Sequence, residues 1–136
     1  MSKTSLFVDP KDEINVKFYI GIKNNELIGA IDEVSQVNGV DYEEHVASFR
    51  EPNYRDVCEL ADKAMTLTQD GEYAVGVAKV RMSRIKKLLK SWDLKDNDGK
   101  SVPAVPASID TLNPVVAFTL AAALEFSLGI LDEAIS

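Results

Sequence analysis

One cysteine, Cys58, and one histidine, His45, are all that this chain of 136 residues has of two residue types on which much metal and nucleophilic chemistry depends. A lone cysteine cannot build a disulfide framework, and a lone histidine leaves a zinc site without a second nitrogen ligand. Positive charge is also scarce. Fifteen lysines and arginines face 22 acidic residues, a formal net charge of −7, so the chain as a whole repels nucleic acid and anionic membranes. No long uninterrupted hydrophobic run is present. Residues 115 to 131 come closest, but Thr119, Glu125 and Ser127 interrupt them and basic flanks are lacking. A buried or partner-bound helix is expected there rather than a membrane span, which needs about 18 or more apolar residues in a row. Residues 1 to 6 lack the apolar stretch of a secretory signal, which makes a reducing cytoplasm the expected compartment.

What is present is apolar enough to fold. Hydrophobic residues make up 46% of the chain, which excludes wholesale disorder, and the length suits one domain over 1–136. Residues 14 to 20 alternate apolar and polar, the period of a half-buried strand. Asn24-Asn25 is a turn pair, and Leu27 to Ile31 reads as the returning strand. Val34 to Val37 and His45 to Phe49, either side of Asn38-Gly39, read as further short strands.

The character changes at Pro52. Asn53 is a candidate N-cap with Asp56 in the first turn, and Val57, Leu60, Ala61, Ala64 and Leu67 keep helical spacing. Gln69-Asp70-Gly71 breaks the pattern. A second seam, Val75, Ala78, Met82, Ile85, Leu89 and Trp92, predicts another helix, with Arg81, Arg84, Lys86, Lys87 and Lys90 around it. Two such helices in succession predict an antiparallel hairpin. Asp96-Asn97-Asp98-Gly99 ends the helical region, Val102 to Pro106 reads as an extended tether, and Asn113-Pro114 opens a last helix with cap and proline in the preferred order. The expectation is an α+β fold: a small antiparallel β segment over 1–50, a helical hairpin over 51–93, a turn and proline-rich tether over 94–113, and a C-terminal helix over 114–134.

The candidate sites divide by chemistry. Asp96 to Gly99 has the look of a calcium loop, but placing Gly99 at the sixth position puts Leu94 first and Val105 twelfth, where carboxylates are required. A plain turn fits. Glu43-Glu44-His45 reads as solvated charge near a strand, and Cys58 as a small core residue. No nucleophile, base and stabiliser can be picked out together, so the sequence points to no catalytic residue, metal or cofactor. The basic cluster reads as a solvated face or as a contact for an acidic surface, such as residues 41 to 62 of a neighbouring copy. Trp92, Leu94 and Gly99 read as structural anchors around the turn.

The last helix offers two apolar faces. Ala117, Leu120, Ala121, Leu124, Leu128 and Leu131 form one; Val115, Phe118, Ala122, Phe126 and Ile130 form the other. A helix apolar all round is buried, and so small a chain has limited interior for it, so one face is expected to meet another chain. The residues assigned to partner binding are Leu120, Leu124, Phe126, Leu128 and Leu131, with Arg81, Arg84 and Lys87 as a charged accessory.

In order of parts the chain resembles the tail assembly chaperones of long-tailed bacteriophages. The likeness is carried by Phe49 to Asp56 leading into the first helix and by Lys87-Leu88-Leu89-Lys90-Ser91-Trp92-Asp93-Leu94 through Gly99-Lys100. It continues in Ile109-Asp110-Thr111-Leu112-Asn113-Pro114-Val115-Val116-Ala117 at the start of the last helix. The acidic residue that often stands two places before that isoleucine is Ala107 here. The resemblance spans most of residues 49 to 134, and the first 48 match less well. It implies an ATP-independent, self-associating protein of the host cytoplasm that coats the tape-measure protein and recruits tail-tube subunits. A structural virion component, such as a head–tail connector or tail completion protein, and a regulatory module binding a host protein are the alternatives.

Overall fold

The computed structural model describes residues 6–9, 11–31, 36–37, 40–67, 73–75 and 77–129. Strand β1 (Glu13–Lys23) turns through Asn24-Asn25 into β2 (Glu26–Ala30). Both asparagines take positive φ, 54° and 66°, as a two-residue turn matched to the twist of its strands requires. The short β3 (Gln36–Val37) pairs with the start of β4 (Val40–Arg50). Asn38, Gly39 and Val34 lie outside the described residues. β4 is longer than the His45 to Phe49 segment expected, because it pairs antiparallel with β1 from Glu13↔Arg50 to Gly21↔Tyr42.

The second half follows as α1 (Tyr54–Ala64), β5 (Met65–Leu67), β6 (Tyr73–Val75), α2 (Val77–Leu88), β7 (Leu89–Trp92), α3 (Pro106–Asp110) and α4 (Pro114–Leu128). The main sheet runs β2-β1-β4-β3, and β7 joins the same edge of β4 further along, at Ala47↔Trp92 and Ser48↔Ser91. β5 and β6 pair as a separate ribbon.

The expected helical hairpin is therefore corrected at three points. α1 stops at Ala64, so Leu67 belongs to a strand; α2 starts only at Val77, so Val75 belongs to β6; and α2 stops at Leu88, so Leu89 and Trp92 are strand residues. The edge of β4 would otherwise carry unpaired backbone groups, and β7 satisfies them. Trp92 and Leu89 still pack on the core, as a seam would have placed them, but from the sheet. The α+β architecture itself is as expected: an antiparallel sheet at the N-terminal end followed by helices.

One face of the sheet carries the core. Val16 and Phe18 of β1 and Ala47 and Phe49 of β4 meet Ile85 and Leu88 of α2, Ile109 of α3, and Leu120, Ala121, Ala123 and Leu124 of α4. This core draws on both sides of Pro52. α4 lies very close to β2. A Cβ added at Gly29 would stand 1.8 Å from Thr119 Oγ1, so only glycine permits this approach. Asn113 caps α4 by accepting from the Val115 N–H at 2.9 Å, Pro114 occupies its first turn, and Gly129 closes it in the left-handed conformation at φ 74°. Among the described residues no helix is long and apolar enough to cross a membrane.

Candidate functional site

At about 100° per residue, the two faces of α4 meet different fates. Leu120 and Leu124 are fully buried, at 0% and 1% exposure, and Leu128 packs half-buried against the same core. Phe118 and Phe126, two turns apart on the other side, are 62% and 63% exposed. Leu120 and Leu124 are thus removed from the partner-binding set, since their side chains are consumed by the sheet and α2. Phe126 stays in it, and Phe118, named on that face but not among the chosen residues, is equally open. Leu131 lies outside the described residues.

Glu125 is buried at 5% exposure in the last turn of this apolar helix. A carboxylate there needs compensation, and it has two arginines. Arg81 donates from Nε at 2.8 Å and from a terminal nitrogen at 2.9 Å, and Arg84 donates at 3.3 Å. Burial lowers the Arg84 pKa, and the nearby Glu125 opposes that shift. Lys87 pairs with Glu59 and lies 3.8 Å from Asp56. Lys86 reaches Asp110 of α3 at 2.6 Å, and Lys90 reaches Glu13 of β1 at 2.7 Å.

These pairs correct the assignment of Arg81, Arg84 and Lys87 to a partner. Of the cations of α2, Lys87 meets the acidic stretch proposed for it, at Asp56 and Glu59, but within the same chain, where no association entropy is lost, while the others pair with Glu125 and Asp110. α2 is a cationic staple joining α1, α3, α4 and, through Lys90 just beyond it, β1. The clue in the sequence was Glu125 itself. A single carboxylate in an otherwise apolar helix must find a charged partner, and Arg81 and Arg84 are correctly spaced to share it.

α1 is held the same way. Arg50 donates two bonds to Asp56, at 2.6 and 3.0 Å, while Asn53 and Asp56 cap each other reciprocally, each backbone N–H donating to the other's side chain at 2.9 Å. The Arg50 guanidinium holds Asp56 below the usual carboxylate value, aided by the Asn53 N–H and Lys87 and opposed by burial. Lys87 does the same for Glu59, with Arg55 adding to it. Docking through Asp56, Glu59 and Leu60 turns Val57, Cys58 and Ala61 outward, so Cys58 is exposed rather than in the core. The exposed Tyr54 hydroxyl donates to its sulfur, which raises the Tyr54 pKa.

The turn after β7 behaves as a turn. Asp96 Oδ1 accepts from the N–H groups of Asp98 and Lys100, and Gly99 takes φ 78°. Among the described residues no cluster of ligands could hold a metal ion. The following segment is tied down rather than free, because Trp92 Nε1 donates to the Val102 carbonyl at 2.6 Å and the Val102 N–H donates to Leu94. Trp92 and Leu94 both pack on the core, in the anchoring place assigned to them.

His45 is not the isolated group the sequence suggested. Its ring stacks on Phe18 with centroids 5.5 Å apart, and Nδ1 lies 3.3 Å from Asp93 Oδ1. The other Asp93 oxygen accepts from the Val46 N–H at 3.1 Å, so the carboxylate also stitches β7 to β4. Two adjoining recesses open beside it. One of about 450 Å³ is lined by His45, Glu43, Glu44, Asp93, Lys95 and Asp96. The other, of about 630 Å³, shares His45, Lys95 and Asp96 and runs over apolar side chains toward the start of α4.

No family model, curated protein or solved structure matches the chain.

Proposed function

We propose that the protein is an assembly chaperone of the phage-tail kind, one that holds the tape-measure protein soluble and recruits tail-tube subunits without ATP. The observation that carries this reading is the pair Phe118 and Phe126, open on a helix fixed at both ends and pinned by Glu125. Exposed aromatics on a rigid helix suit a long amphipathic client, or a second copy of the chain, laid along them. The motifs from Phe49 to Ala117 add the family resemblance.

The test is co-expression with a phage tape-measure protein as client, its solubility read after centrifugation. The wild-type chain keeps the client soluble. Phe118→Asp with Phe126→Asp, while retaining wild-type helicity, leaves the client in the pellet. Unchanged solubility with the double variant would overturn the reading. A second reading, an acid–base enzyme, draws on the recess joining His45 to Glu43, Glu44, Asp93 and Asp96. It requires a hydrolytic activity that His45→Ala abolishes.

A further inference from the structure

The two recesses beside His45 form one groove with two characters. The larger is floored by Ile20, Leu27, Trp92, Leu94, Leu112 and Val116, where the sheet runs out from beneath α4. The smaller is rimmed by the carboxylates of Glu43, Asp93 and Asp96 with one lysine, Lys95; Glu44 also borders it, but its register opposite Tyr19 turns its carboxylate to the other face of the sheet. Glu44 lies 3.9 Å from Lys17 and accepts weakly from Tyr19, and Asp93 is engaged with His45 and Val46. Asp96 uses one oxygen in its turn, leaving the other toward solvent, and Glu43 is exposed. The rim is thus negative where the floor is apolar. At about 630 Å³ the floor takes about two or three side chains of a peptide, a size within the ordinary range of ligand recesses.

We infer that this groove binds an extended segment of another protein that places large aliphatic side chains over Trp92 and Leu112 and sets arginine or lysine against Glu43 and Asp96. Charge complementarity selects that occupant. An acidic segment or a nucleic acid would meet three carboxylates, and an uncharged one would leave them unanswered. The site goes beyond the proposed function. It lies on a different side of α4 from Phe118 and Phe126, since Val116, which lines it, sits about 120° around the helix from their midpoint, so the two surfaces can fail separately.

Trp92 is the sole tryptophan and therefore a reporter in the groove. The intact chain is titrated with a short peptide carrying paired leucines between arginines, and with its counterpart in which glutamates replace the arginines. The arginine peptide is expected to shift Trp92 emission saturably, and the glutamate peptide to leave it unchanged. Glu43→Lys weakens binding by roughly tenfold and flattens its salt dependence. Phe118→Asp with Phe126→Asp leaves it intact. The inference is overturned if the arginine peptide gives no saturable shift or the glutamate peptide binds as well. It is equally overturned if the rim variant, folded by circular dichroism, binds like the wild type, or if loss follows the α4 variant instead.

Discussion

Glu125 and Gly29 are the two positions where a single atom or charge governs how α4 sits. Glu125 answers two arginines, one only 12% exposed at its side chain, so replacing it leaves cations with nothing to face. Glu125→Gln is expected to lower unfolding free energy by about 3 kcal/mol, measured from the urea midpoint, because breaking one side of a buried pair costs about 3–5 kcal/mol and Arg81 keeps some water. A loss below about 1 kcal/mol would mean that the arginines find solvent instead. At Gly29 the conflict is steric. Gly29→Ala drives a methyl into Thr119 and should cost about 1–3 kcal/mol, and Thr119→Ala in the same chain should recover much of that. Gly99 differs, because nothing lies within 4 Å of a Cβ there. Gly99→Ala should cost about 1–2 kcal/mol from its positive φ alone, and Gly99→Asn less.

At the level of elements, α1 is the part that acid should release first. Asp56 and Glu59 are both held below their ordinary values by Arg50 and Lys87. Groups whose folded pKa is depressed contribute stability that is complete above the unfolded value, about pH 4, and lost as pH falls through the folded one. Hydrogen exchange should show the α1 amides losing protection on acidification before those of α4, which has Leu120, Ala121, Ala123 and Leu124 in the core besides its Glu125 ion pair. Arg50→Ala should leave α1 poorly protected already at neutral pH. Equal loss in both helices would contradict this. The same elements show where sequence periodicity misled. Val57, Ala61 and Met82 keep helical spacing, yet Val57 and Met82 are among the exposed large hydrophobics and Ala61 is exposed too. The faces that dock carry Asp56, Glu59, Arg81 and Arg84, because paired charges oriented these helices as strongly as their apolar residues did.

For the molecule as a whole, the division of α4 into a consumed face and an open one determines which variants are informative. Leu124→Asp places a carboxylate in the core and should unfold the chain, seen as lost near-ultraviolet dichroism, so it cannot report on assembly. Phe118→Asp with Phe126→Asp should keep the wild-type fold and reduce the mass found by light scattering at high concentration, if wild-type copies associate there. Association unaffected by the pair would point to another surface. The sequence by itself determined the Asn24-Asn25 hairpin, the cap at Asn53, the Asp96 to Gly99 turn, and the start of α4. Each depends on backbone preferences acting over a few residues. Tertiary structure alone decided that Leu89 to Trp92 would leave a helix for the edge of β4, that the cations of α2 would be used internally, and that His45 would meet Asp93 beside an acidic groove. Those outcomes rest on partners 24 to 77 residues apart in the chain, as between Lys86 and Asp110 or Lys90 and Glu13, and no local pattern records such a pairing.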